Sequence, residues 1–327
     1  MRGGALVAVV ASLVLLTACS GEGAAPQAPT APPLAYSGLP LPPGAQVDPA
    51  GIRPGWDNLD DDSWPGSLRP DAAVPAERVP EILERGRLIV GVDQSQYLLS
   101  FRDSAHGELR GFEIDLAREI ARDIFGDPTK VDFRFVESSK RVASLDDATV
   151  DIIVRTMSIT PERVERVEFS TPYLTSSVRL LTRLDGDISG PADAAGATIC
   201  VVDGTNLVEL ARSVAPDSKI LRTRSWSDCL MASQLYQSDA VLADDAILAG
   251  MTAQDPLTEV LPTSYGTQRY AVAVRKGNDG LVRQVNSTLE RIRDDGTWNK
   301  MFATWLGASS STPALPPIRY RDTEGGQ

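Results

Sequence analysis

The chain has 327 residues, 42% of them apolar, and a formal net charge of −12. That length and apolar content allow more than one packed core. The acidic balance argues against nucleic acid and against a polybasic membrane-binding patch, while leaving room for an anionic ligand held by a few local arginines.

Near the start, Arg2 precedes an uncharged apolar run from Ala5 to Leu16, which leads into "LTAC" ending at Cys19. A run of about a dozen residues is too short to cross a bilayer, which takes roughly 20. Residues 1–18 therefore read as a secretory signal. The small residues before Cys19 resemble the bacterial lipobox, which implies a lipidated Cys19 and membrane contact on the extracytoplasmic face. A plain signal with a coincidental cysteine is the alternative. Between Ser20 and Pro75 lie 12 of the chain's 23 prolines, with the acidic run "DNLDDD" and few branched aliphatics. Such composition predicts a Pro-rich, semi-rigid tether over 19–75 with no fold of its own. Trp56 and Trp64 are its candidates for docking on something. A shorter Pro-rich tail is predicted over 309–327.

From about Ala76 to Gly307, strand and helix signals alternate. "RLIVGVD" is a short buried strand. "GFEIDLAREIARDIF" carries Phe112, Ile114, Leu116, Ile120 and Ile124 at helical spacing. "KVDFRFVE" and "VDIIVRT" are strands, with "KRVASLDDA" as a helix between them. A second set follows: the strands "ATICVVD", "KILRTR" and "DAVLADD", and the helices "LVELARSVA", "WSDCLMASQLYQ" and "AILAGMTA". The strand "RYAVAVRKG" and the long helix "DGLVRQVNSTLERIRDDG" close the fold. The pattern predicts an α/β protein with parallel crossovers, and its two sets suggest two lobes. Cys200 and Cys229 form an even pair in an oxidising compartment, which predicts a disulfide within the second set. Closing a loop of about 30 residues stabilises by roughly 3–4 kcal/mol in the chain-entropy model; two free thiols are the alternative.

Polar residues gather where strands end: Asp93; Thr156 and Ser158; Gly204, Thr205 and Asn206; Asp244 and Asp245. Ligands of open α/β sheets bind outside those carboxyl ends, and the last three clusters lead into helices whose free N–H groups suit an anion. Thr160, Asn206 and Asp245 are also ordinary helix N-caps. Capping leaves Arg163 unexplained: in "ITPER" it is a cation in a helix first turn, where the dipole favours anions. Nor does capping explain a second carboxylate, Asp244, beside Asp245; a carboxylate at Arg163 and an ammonium at Asp244 answer both oddities, and together they describe the backbone of a free α-amino acid.

"GFEIDLAREIA", "MSITPERVERVEFSTPYL", "DGT" after a strand, "ADDAILAG" and "RIRDDGTWNKMFATWLG" resemble extracytoplasmic amino-acid-binding proteins of ABC importers. Among these the chain is most similar to actinobacterial glutamine/glutamate/aspartate-binding lipoproteins. The resemblance covers roughly 77–307 and implies the type 2 periplasmic-binding fold, in which two α/β lobes joined by two hinge strands close on the ligand. By position, 77–172 plus 269–308 would form the first lobe and 173–268 the second. It further implies that Arg163 pairs with the ligand α-carboxylate, helped by Ser158 and by Thr205 with the neighbouring backbone N–H. The α-ammonium falls to Asp244 and to the carbonyl or hydroxyl of Thr156. An ABC importer permease is the implied partner, and no cofactor is.

The side-chain subsite departs from the family pattern. Where the family places two aromatic rings, this chain reads "QSQYLL" and "ESSKR", leaving only Tyr97 to stack. Asp93 matches a position that accepts a side-chain amide, which points to Gln or Asn. Arg155 ends a strand expected to be buried and points to a carboxylate, as in Glu or Asp. A buried guanidinium needs a partner, either the ligand, Glu137 or another protein acid, and Arg141 is a weaker candidate for the same task. Two other classes stay open. One is an amino-acid sensor for a membrane partner; the other is an enzyme similar to cyclohexadienyl dehydratases. Against the second, the sequence carries neither a G-x-S-x-G motif nor a metal-ligand cluster, and the lone His106 sits in a turn.

Overall fold

The computed structural model describes residues 38–55, 63–307 and 315–321; Cys19 and Trp56 lie outside the described residues. Leu88–Val92 is buried along its whole length. It takes a parallel neighbour on each side, Val131–Phe135 and Ile152–Ile153, as a continuous apolar run predicts. Ala273–Arg275 and Val167–Phe169 extend this five-stranded sheet in antiparallel fashion. The helix Phe112–Phe125 makes the crossover, burying the five apolar residues of its helical stripe and ending at Gly126 in the left-handed conformation.

The second sheet has seven strands, in the order Gln46–Asp48, Lys219–Thr223, Thr198–Val202, Ala240–Asp244, Leu174–Arg183 and Thr258–Val260. Thr267–Tyr270 also pairs with Leu174–Arg183. Its three central strands run parallel. The disulfide joins Cys200 of Thr198–Val202 to Cys229 in the helix Trp226–Gln234, with the Cα atoms 5.6 Å apart and both residues fully buried. The chain leaves the first sheet after Val167–Phe169 and returns to it before Ala273, and beside these crossings Leu174 faces Tyr270 across an antiparallel pair. This is a two-lobed α/β fold with two crossings.

The ten-residue strand Leu174–Arg183, which alternates buried and half-buried residues, was not among the predicted elements. "RYAVAVRKG" proves to be two pieces, Thr267–Tyr270 and Ala273–Arg275, because the chain changes lobe within it. The tether prediction is corrected in its described parts. Gln46–Asp48 is an edge strand of the second sheet, while Trp64 and Leu68 are buried on the first lobe. The tail is corrected likewise: Tyr320 bridges to Ser67 and Arg321 pairs with Glu168 at 2.9 Å. Low average hydrophobicity hid these contacts, because backbone pairing and two inserted side chains suffice to dock a segment that has no core of its own.

Candidate ligand cleft

Where the strand ends of the two lobes face one another lies a cavity of about 860 Å³, lined among others by Arg141, Arg163, Thr205, Asn206 and Glu209. The lobes meet closely around it. Gly204 sits at φ +72°, and a Cβ there would lie 2.4 Å from the Ser139 Cα. Gly250 would place its Cβ 2.4 Å from the Tyr97 carbonyl oxygen, so only glycine permits either approach.

Arg163 follows Thr160 and Pro161 into the helix Pro161–Arg166, and the Thr160 hydroxyl accepts from the Arg163 N–H at 3.4 Å. The guanidinium is half-buried, and among the described residues its acceptors are carbonyls, Ser158 O at 2.9 Å and Gly204 O at 3.4 Å. Desolvation in the cleft lowers the Arg163 pKa to about 10, with Glu162 and Asp244 acting in the opposite sense. Arg141, buried, reaches the same Gly204 oxygen at 3.2 Å and otherwise donates to Ser138 O, Arg155 O and Thr156 O. Burial holds its pKa well below the usual value, and the charges of Arg163 and Arg155 add to that. Two guanidiniums of one lobe thus share one neutral carbonyl of the other. Such a site favours an arriving anion.

Asp244 supplies the opposite charge. It ends Ala240–Asp244, opens the helix Asp245–Gln254 and is buried. Its Oδ2 accepts from the Tyr270 hydroxyl, while Oδ1 is buried with no hydrogen-bond partner. Burial pushes the carboxyl up to about 7. An oriented, underused carboxylate oxygen is a receptor for an N–H donor, an ammonium above all. Asp245, expected as the N-cap, is instead the first helical residue, and its carboxylate holds the Ser176 hydroxyl at 2.5 Å. Asn206 occupies its N-cap position without a side-chain cap, and the Thr205 hydroxyl turns back to Val202 O at 2.7 Å.

Asp93 and Arg155 correct the side-chain reading. Their side chains, each 1% exposed, pair with one another; Glu137, the acid named for Arg155, pairs instead with Arg224. Arg155 also donates to the Ser138 hydroxyl, leaving only its Nε buried without a partner. The second oxygen of Asp93 takes Gln94 N, Ser95 N and Ser95 Oγ at 2.7–2.8 Å. The two residues are therefore partners, not the open halves of a subsite. Tyr97 packs its ring 4.7 Å from that of Phe101 and lines a separate small crevice with Trp226 and Gly250. Thr156 keeps a positive φ of 39°, uncommon for a branched residue; its N–H donates to the buried Glu113 carboxylate at 2.6 Å. Ser158 donates its hydroxyl to Gln268 Oε1.

Of the predicted site residues, Arg141, Arg163, Thr205 and Asn206 line the cavity, while Asp93, Tyr97, Arg155, Thr156, Ser158 and Asp244 are not among its lining residues. Tyr270, Gln268 and the Gly204 carbonyl escaped sequence reasoning. Only Tyr270 carried a signal, since a tyrosine in an otherwise apolar strand needs a partner for its hydroxyl. Among the described residues no group of His, Cys, Asp and Glu could hold a metal, and no helix is long and apolar enough to cross a membrane.

In this two-lobed α/β fold, guanidiniums of one lobe line the cavity, and the buried Asp244 carboxylate of the other lobe acts electrostatically on Arg163. Residues 88–308 match the model of bacterial extracellular solute-binding proteins, family 3. The chain belongs to that family. This family-3 protein is 30% identical to the ABC transporter glutamine-binding protein GlnH of Bacillus subtilis over 226 residues, covering 69% of this chain and 83% of that one. The solved solute receptor for L-cysteine of Neisseria gonorrhoeae superposes with a TM-score of 0.68 at 27% identity, covering 73% and 96% of the two chains. An ancestral amino-acid-binding protein, a precursor of cyclohexadienyl dehydratase, superposes with a TM-score of 0.64 at 29% identity, covering 69% and 98%.

Proposed function

We propose that this family-3 protein captures a polar amino acid, Glu, Gln, Asp or Asn, by lobe closure and delivers it to an ABC importer permease. The observation carrying this reading is the pairing of Arg163, whose acceptors among the described residues are carbonyls, with Asp244, whose Oδ1 is buried and unused. One suits an α-carboxylate and the other an α-ammonium. Ser158, Thr156 and the Thr205–Asn206 turn flank the bound backbone. Around the ligand side chain, Arg141 offers donors while Asp93 and Arg155 hold one another, which suits a side chain bearing a carbonyl or carboxylate oxygen. Delivery to an importer is supported by GlnH, which is named for an ABC transporter. The apolar leader and Cys19 support lipid anchoring on the outer face of the cell membrane.

A thermal-shift screen of the twenty amino acids tests the reading, because a ligand that binds only the folded state raises stability by RT ln(1 + [L]/Kd). The four polar candidates are expected to give the largest shifts. Larger shifts with leucine, lysine or arginine, or none at all, would sink it. The dehydratase precursor among the structural neighbours suggests catalysis in the same cleft as a second reading, and turnover of arogenate or prephenate by the purified protein would establish that instead.

The Asp244 carboxyl, pushed up to about 7 by burial, sets an expected pH dependence. At pH 8 it is mostly ionised and accepts the ammonium; at pH 5.5 it is mostly protonated before ligand arrives. Affinity is therefore expected to fall by up to about 30-fold between pH 8 and 5.5, with proton release on binding in between. Stability of the ligand-free protein runs the other way. A carboxyl raised above its unfolded value of 3.8 contributes most below about pH 4, and the contribution is lost as pH rises through about 7. Calorimetry at several pH values checks this; an affinity flat from pH 5.5 to 8 would remove Asp244 from the ammonium site.

A further inference from the structure

The Glu137 carboxylate belongs to the first lobe, and the guanidinium that donates to it, Arg224, belongs to the second. Each residue stands just past the carboxyl end of a strand, Glu137 after Val131–Phe135 and Arg224 after Lys219–Thr223. Among the described residues each has the other as its charged partner. In the helix that follows Arg224, the Ser227 hydroxyl donates to Ser95 Oγ of the first lobe at 3.3 Å, so the rims of the lobes touch here.

The strand order places this contact far from both crossings. In the first sheet Val131–Phe135 is the edge strand, separated by Leu88–Val92 and Ile152–Ile153 from the end where the chain leaves and returns. In the second sheet Thr198–Val202 and Ala240–Asp244 stand between Lys219–Thr223 and the crossing strand Leu174–Arg183. Rotation of one lobe about the crossings moves distant points furthest, so opening of the cleft separates Glu137 from Arg224 early. Arg224 is also held from behind. Ala45 N donates to Pro42 O at 2.9 Å in a turn that carries Gly44 at φ +77°, and a Cβ on Gly44 would lie 2.9 Å from the Arg224 Cδ. Packing on that stem leaves the side chain less rotamer freedom to lose when the pair forms.

We propose that Glu137 and Arg224 are a latch across the cleft mouth that favours the closed arrangement and so sets ligand affinity. Ligand binds the closed fraction of the protein, and a contact made on closure enlarges that fraction. The Arg224 and Glu137 side chains are 57% and 22% exposed, so water and salt screen the pair and its effect on affinity is up to about fivefold. This goes beyond the amino-acid reading and does not depend on which ligand the cleft takes. The test is the full chain as Glu137→Arg, as Arg224→Glu, and with both substitutions. Each single variant sets like charges against one another, while the double variant restores an opposite pair with the signs exchanged. Titration with L-glutamine and L-glutamate is expected to show a dissociation constant weakened by about threefold or more in each single variant and within about twofold of the parent in the double. Small-angle scattering without ligand is expected to show a larger radius of gyration in the single variants alone. A change in either measurement that the double variant reverses supports the latch. Single variants that match the parent in both, or a double variant no closer to the parent than the singles, would overturn it. If neither amino acid binds the parent, the proposed function fails, and the scattering of the four proteins decides the latch by itself.

Discussion

Replacing Arg163 by alanine is expected to weaken amino-acid binding by about 30- to 5,000-fold while leaving both lobes folded. Truncating one member of a buried charge pair costs about 2–5 kcal/mol, and each 1.4 kcal/mol is a factor of ten. On the proposed site, that loss is expected to come from the ligand's α-carboxylate, enclosed on closure without its guanidinium. Folding is little affected, because in the ligand-free protein Arg163 is half-buried and its acceptors are the carbonyls of Ser158 and Gly204. Arg163→Lys should fall between the two, since an ammonium keeps the charge but loses the planar fork that grips both carboxylate oxygens. Calorimetry and thermal unfolding of the three proteins check this. Near-native affinity in Arg163→Ala would move the α-carboxylate elsewhere, with Arg141 the next guanidinium to test.

Arg155→Ala is expected to act on stability first. Asp93 and Arg155 are each 1% exposed and bonded to one another, so removing the guanidinium leaves a carboxylate buried without its counter-charge. Breaking such a pair costs about 3–5 kcal/mol, which for a protein of this size lowers the melting temperature by roughly 6–20 °C. Arg155→Met combined with Asp93→Asn should recover much of the loss, because no orphan charge remains. Both terminal nitrogens of Arg155 already donate within the protein, so affinities for Glu and Gln are expected to fall together. A melting point within about 2 °C of the parent, with loss of Glu binding alone, would show that Arg155 serves the ligand rather than Asp93.

Much of this molecule was legible in the sequence because the controlling physics is local. The apolar run of Leu88–Val92 and the stripe of Phe112–Phe125 declare a buried strand and its crossover helix. Thr160 and Pro161 declare the helix start that aims Arg163. Two cysteines remaining after Cys19 in an oxidising compartment declare the disulfide, Cys200 to Cys229. An arginine in a first turn was legible as an oddity, because it runs against the helix dipole, and a second carboxylate beside a helix start was legible as one more acid than capping needs.

The tertiary structure decided whatever depends on residues far apart meeting. Asp93 and Arg155 lie 62 positions apart, and each alone has the chemistry of a ligand contact; only their meeting makes them each other's partner. The Gly204 carbonyl has no side chain to announce it, yet it receives two guanidiniums. Leu174–Arg183 went unpredicted; it is a strand because it pairs with strands of its own sheet and with the returning crossing, and its burial alternates because successive side chains point to opposite faces. Residues 39–75 have the composition of a linker, since composition averages over side chains and is blind to backbone pairing. In its described parts, backbone pairing at Gln46–Asp48, the Asp48 ion pairs, the indole of Trp64 and the hydrogen bonds of Ser67 seat that segment, because the surfaces that receive them belong to lobes built from other parts of the chain.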